Sequence, residues 1–181
     1  MSENKFLEFL EVLGEIVQKT YFRLNPLNPT NSEDNYQELL RENLNLRLGL
    51  RVDSEISYQK GCLNILGDNI LLKNRTERLD LVIRGLDCIM EIKCVDKLEL
   101  VHENQLLSYL NNLDYKYGIL INFGKSKSMR RCVGHCKVYE RYENIIKKDK
   151  YGEEYKVWKY KLLREIYTED YNELLGGSLL I

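Results

Sequence analysis

The amino-acid sequence predicts an α/β fold: a mixed central sheet flanked by helices, with a basic β-hairpin extension at its C-terminal side. Three observations predict it. Residues 78–93 alternate about a short turn, as the two strands of a hairpin do. A helical stretch at 101–113 then leads into a short apolar run, 117–123. Strand, helix and strand in that order imply a crossover onto the same sheet, and such crossovers are right-handed. Beyond Gly124 come two further extended segments rich in Lys, Arg and aromatic residues. The 181 residues suffice for one domain with a proper core. We divide it into a core over 1–124 and an extension over 125–181 packed on the same domain.

In chain order, Phe6, Phe9, Leu10, Leu13, Ile16 and Val17 recur at three- and four-residue steps. That spacing predicts a helix over 3–21 with one buried stripe. Both prolines fall in the turn-rich loop 25–32. Ser32 or Asn31 is placed to cap a second helix, whose first turn holds Glu33 and Asp34 and whose C-terminal cap is Gly49. Residues 51–60 and 62–73 look extended, with a tight turn at Gly67-Asp68-Asn69.

In the hairpin, Gly85-Leu86 suits the centre of a type II′ turn. The register then sets Ile83 opposite Cys88, Val82 opposite Ile89 and Asp80 opposite Glu91. One face carries Leu79, Leu81, Ile83, Cys88, Met90 and Ile92; the other carries Val82, Ile89, Asp80, Glu91, Arg78 and Lys93. Leu106, Leu107, Leu110 and Leu113 line one side of the helix that follows, and 117–123 reads as a strand buried on both faces. In the extension, 136–146 and 155–163 read best as a hairpin about the turn 150–153, and 168–175 as a last short helix.

Apolar residues make up 44% of the chain and charged residues 30%, an ordinary globular balance. No run approaches the roughly 18 apolar residues of a membrane span, so no membrane partner is expected. The start Met-Ser-Glu-Asn-Lys lacks the pattern of a signal peptide. Five cysteines without framework spacing suit a reducing, intracellular setting, cytoplasmic or nuclear. The net charge of −1 hides an asymmetry: 13 Lys/Arg face 5 Asp/Glu between Lys125 and Arg164, leaving +8 there and −9 elsewhere. A basic block of that size suits a polyanionic partner.

Asp80 and Glu91 carry the chemistry. Two carboxylates directly across a strand pair, with Cβ atoms about 5 Å apart, repel. A divalent cation with hard oxygen ligands removes that repulsion. Magnesium or manganese fits, held by Asp80, Glu91 and the backbone carbonyl of Ile92, and would lower the pKa of a bound water. Lys93, on the same side, can orient that water or neutralise charge developing on a phosphate. Gln105 and Tyr109 stand one helical turn apart, able to hold the lysine or the phosphate. Glu33 can complete the metal sphere if its helix packs over the sheet.

The spacing of Asp80 from Glu91-Ile92-Lys93 resembles the signature of the PD-(D/E)XK nuclease superfamily, with Leu79 where the name has proline. Gln105-Leu-Leu-Ser-Tyr109 resembles the Gln-x-x-x-Tyr motif of RecB-like nucleases. The runs 101–110 and 118–124 are similar to the GxxExxY branch; in its name motif Glu33 and Tyr36 would be the Glu and Tyr, and Thr30 replaces the glycine. The resemblance implies a restriction-endonuclease-like fold and a metal-dependent nuclease, most simply one acting on DNA. The alternative is a nucleic-acid-binding module that keeps the fold without catalysis. His102 is a wall of such a site or a polar group at a helix start; both readings stand. The five cysteines do not match the pattern of the iron–sulfur clusters carried by some RecB-like nucleases, so no cluster is expected.

In the extension, Lys125, Lys127, Arg130, Arg131, Lys156, Trp158 and Lys159 are the candidates for binding nucleic acid. Cations meet phosphates and aromatic faces stack on unpaired bases, which suits single-stranded or flapped DNA. The same aromatics can instead pack on the sheet while the lysines stay solvated. Oligomeric state is not legible.

Overall fold

The structure, a computed structural model, describes residues 3–24, 32–60, 75–124, 132–148 and 150–169. Its elements are α1 (Glu3–Arg23), α2 (Glu33–Leu48), β1 (Val52–Lys60), β2 (Arg75–Ile83), β3 (Cys88–Lys93), α3 (Leu100–Asn112), β4 (Tyr117–Asn122), β5 (Cys132–Lys148) and β6 (Glu154–Glu169). The six strands form one sheet in sequence order. β3 and β4 are parallel, joined through α3, and every other neighbouring pair is antiparallel. The mixed sheet with three helices agrees with a restriction-endonuclease-like architecture. No helix among the described residues is long and apolar enough to cross a membrane.

The α1 stripe read from the sequence is the one buried, whereas on α3 Tyr109 joins Leu106 and Leu110 in the core and Leu107 and Leu113 are only partly buried. α1 inserts Phe6, Phe9, Leu10, Leu13, Ile16 and Val17 beneath one face of the sheet, beside Leu40 and Leu44 of α2 and against Leu81, Ile83, Met90, Ile92, Ile119 and Ile121. The Phe6 ring stacks on Tyr117 at 3.6 Å between centroids. α1 and α2 also meet through a buried bond from Asn43 Nδ2 to Thr20 Oγ1, 2.9 Å. Ser32 begins α2, its N–H and hydroxyl both donating to Asn35 Oδ1 at 3.0 Å. Gly49 closes it in the left-handed region, φ 61°.

On the opposite face α3 lays Leu106, Tyr109 and Leu110 over Val82, Ile89, Leu120 and Tyr139. Gly118 allows the approach: a Cβ there would lie 2.9 Å from Leu110 Cδ1 and 3.1 Å from Leu106 Cγ. Gly118→Ala is therefore expected to cost about 1–3 kcal/mol by overpacking. A lower melting temperature in thermal denaturation checks it.

Several expectations are corrected. The hairpin register holds for Ile83–Cys88 and Val82–Ile89, but the turn is not type II′. Residues 84–86 form a 3-10 turn, and Asp87, not Gly85, takes positive φ at 51°. An Asp tolerates that region, and the wider turn buries Leu86, which a two-residue turn would have left at its tip. Leu79 packs with α3 rather than on the face of Leu81, because the strand alternation breaks at Asp80. Thr168 belongs to β6, not to a helix. The extended stretch at 62–73 with its turn at Gly67-Asp68-Asn69 and the rest of the terminal helix lie outside the described residues.

The basic segment enters the sheet itself. β5 pairs with β4 as far as Glu140, and 141–148 then continue against β6 alone as a two-stranded ribbon. Arg141 locks the base of this ribbon to the end of α3, donating to the carbonyls of Leu110 (3.0 Å) and Leu113 (2.9 Å) and to Asp114 (2.6 Å).

Candidate active site

Asp80 lies at a break in two strand ladders. On the β1 side, Ser54 pairs with Leu81 and Ile56 with Leu79, so Glu55 and Asp80 are skipped. Glu55 takes a left-handed φ of 56°, a conformation costing a non-glycine residue about 1–3 kcal/mol. On the β3 side, pairing stops at Leu81–Met90. The Asp80 side chain replaces the missing backbone bond: Oδ2 accepts the Ile92 N–H at 2.7 Å. That bond pins Asp80 beside Glu91. Asp80 and Glu91 are thus brought together by a side-chain contact rather than by the direct pairing expected.

Glu91 is almost fully buried, and Lys93 Nζ donates to its Oε1 at 2.5 Å. Its other oxygen, Oε2, is buried without a hydrogen-bond partner among the described residues. Such an acceptor carries its whole desolvation penalty. Burial, then the neighbouring Asp80 charge, push the Glu91 carboxyl up to about 7, against the pull of Lys93. Burial likewise raises Asp80. Burial works against the Lys93 ammonium, but Glu91, Glu33 and Asp80 outweigh it and hold the pKa of Lys93 above its usual value.

Glu33, in the first turn of α2, reaches the same place. Its Oε1 accepts the Cys94 N–H at 3.1 Å, just past Lys93. Across the site, Gln105 Nε2 donates to the Tyr109 hydroxyl at 2.7 Å, and that hydroxyl points at the Arg78 carbonyl, 3.4 Å away. Burial raises the Tyr109 pKa to about 12, so its hydroxyl stays protonated. Gln105 and Tyr109 also line an open groove of about 660 Å³ between α3 and the start of β2, with Arg78, Asn104 and Ser108.

Asp80, Glu91, Lys93 and Glu33 therefore converge, and Gln105 and Tyr109 stand beside them. Other candidates lie elsewhere. Tyr36 is a core residue, stacked between Tyr21 and Phe123. His102 sits in the first turn of α3, where Nδ1 accepts the Glu99 N–H at 2.9 Å. Trp158 lies under the Arg141 guanidinium, 4.1 Å from its ring centroid, and Lys159 pairs with Glu143 at 2.6 Å. Lys156 belongs to β6. Lys125, Lys127, Arg130 and Arg131 lie outside the described residues.

Three contributors were not foreseen. Asn122, buried at the end of β4, clamps Val95 by two bonds, accepting its N–H (3.0 Å) and donating to its carbonyl (2.9 Å), and so fixes the chain after Lys93. A lone amide in an apolar run was the available signal. Tyr58 sets its ring edge-on to Tyr109, 5.9 Å away, and donates to Glu77 at 2.6 Å. The strained Glu55 left no trace in the sequence.

Among the described residues, no three His, Cys, Asp or Glu side chains form a ready-made ligand cage. Magnesium does not require one, since it retains several waters and takes one or two carboxylates. The donor set fits such an ion: hard carboxylate oxygens, one of them buried and unsatisfied, beside a second carboxylate.

A family model described as the PD-(D/E)XK nuclease superfamily matches residues 11–132. No curated protein and no solved structure matches the chain.

Proposed function

The chain belongs to the PD-(D/E)XK nuclease superfamily, and from that premise we propose that it hydrolyses phosphodiester bonds of DNA with magnesium or manganese as cofactor. The buried, unpartnered Oε2 of Glu91 beside Asp80 carries this reading. A structural pair would be satisfied by Lys93 alone, whereas this one keeps an acceptor for a cation. Asp80 and Glu91 would hold the metal, with Glu33 and the Ile92 carbonyl as further ligands. When bound, the ion supplies Lewis-acid stabilisation of the phosphate and a more acidic water.

The chain's own groups do the rest. Lys93 keeps its proton, held by Glu91, and can donate to the attacking water or to a non-bridging phosphate oxygen. Gln105 and Tyr109 form a hydrogen-bonded wall that orients the phosphate or the lysine. We place the chain in the GxxExxY branch, related to RecB-like nucleases, on Glu33 and the Gln105–Tyr109 pair. Its substrate is DNA with single-stranded or flapped character, met inside the cell.

Labelled single-stranded, double-stranded and flapped DNA, and RNA, incubated with the protein and magnesium, manganese or chelator, test this. Cleavage is expected only with metal and is lost in Asp80→Ala. Binding that survives without any cleavage would favour an accessory module instead.

A further inference from the structure

A row of residues leads away from Lys93 across the sheet. Lys93 is paired with Asn122 on β4, Asn122 with His135 on β5, and His135 with Tyr167 on β6. Paired residues share a face, so these side chains stand on the side that carries Glu91 and α3. Lys137, two residues from His135, confirms the face by donating to Glu103 of α3 at 2.7 Å. At ordinary strand spacing, β6 lies about 14 Å from β3.

The Tyr167 ring lies flat on the His135 ring, with centroids 4.3 Å apart and planes within 12°, and remains 60% exposed. His135 is fixed from below: its Nε2 meets Glu165 Oε1 at 2.6 Å, and Lys137 bridges Glu165 and Glu103. An exposed aromatic ring held in one plane, in line with the candidate active site, is a platform rather than a core residue. Tyr139, Tyr142, Tyr151, Trp158 and Tyr160 do not offer this. Tyr139 is buried, and Trp158 and Tyr160 are half-buried near the end of α3. Tyr142 and Tyr151 are exposed but lie beyond Glu140, toward the opposite end of the sheet.

We propose that Tyr167, seated on His135, stacks an unpaired nucleobase of the substrate strand at a distance from the scissile phosphate, about 14 Å across the sheet from β3. Bases locked in a duplex cannot offer a free face, so the platform selects single-stranded nucleic acid. This rests on the nuclease reading above.

The test is binding of the full chain to a labelled single strand and to a blunt duplex of equal length. Calcium replaces magnesium so that binding is read without turnover, and salt is held constant. Tyr167→Ala is expected to weaken single-strand binding about 5- to 150-fold, leaving duplex binding and the melting temperature nearly unchanged. Tyr167→Phe retains the ring and should bind like the wild type. Unchanged single-strand affinity in Tyr167→Ala, equal losses on both substrates, or a Phe variant as weak as Ala would overturn the platform. If the wild type cleaves with magnesium while Tyr167→Ala binds normally, only the platform falls. If the wild type neither binds nor cleaves nucleic acid, the nuclease reading falls with it.

Discussion

Glu91→Gln is expected to lower metal-dependent cleavage by about 1,000-fold or more while flattening the pH dependence of the metal-free protein's stability. The first effect follows from losing a charged ligand: a metal's charge stabilisation in the transition state is worth several kcal/mol, and each 1.36 kcal/mol is tenfold in rate. The second follows from linkage. Glu91 is raised from its ordinary 4.5 to about 7 by burial and by Asp80. Between those values the folded protein keeps a proton that the unfolded chain releases. Stability therefore falls as pH rises through that window, on the order of 3 kcal/mol for this group. Asp80, also raised, adds to the same slope, whereas Lys93 stays charged throughout it. Glutamine keeps the shape, removes the charge and sets an amide donor near Asp80. Urea denaturation from pH 5 to 8 should show the slope flattened in Glu91→Gln. An unchanged slope would mean that Glu91 is ionised in the folded state at all these pH values.

Lys93→Ala should cost both activity and stability. The Lys93 side chain is only 12% exposed and that of Glu91 only 2%, so the pair is buried, and breaking such a pair costs about 3–5 kcal/mol. Glu91 can escape part of this by taking up a proton, which it nearly does already. The loss should thus be smaller at pH 6 than at pH 8, where the orphaned carboxylate is ionised. Added magnesium should recover part of the stability at pH 8, because the ion replaces the missing positive charge. Equal destabilisation at both pH values would show that Lys93 matters through packing alone.

Local patterns carried much of the fold. The stripe Phe6–Val17, the Gly49 cap and the apolar strand around Ile119 each obey a single periodicity or cap rule, and tertiary contacts only reinforce them. The turn at 84–87 was misread because Gly85 is permissive in any turn, while burial of Leu86, a tertiary effect, selected the wider one. The nearness of Asp80, Glu91 and Lys93 was expected from a hairpin register that the structure follows only as far as Leu81–Met90. The device that creates it was not legible: the ladder break at Asp80 depends on the left-handed Glu55, twenty-five residues away on another strand. Glu33 was reachable only through the family resemblance and the condition that α2 pack over the sheet. The row from Lys93 to Tyr167 joins four strands whose registers no local pattern sets.

Asp80 and Glu91 are proposed to seat a divalent cation. A crystal soaked in manganese and measured at an anomalous wavelength tests it directly. A peak is expected within coordination distance of the Asp80 carboxylate and Glu91 Oε2, absent in Glu91→Gln. No peak between those side chains, or one that persists in the variant, would contradict it.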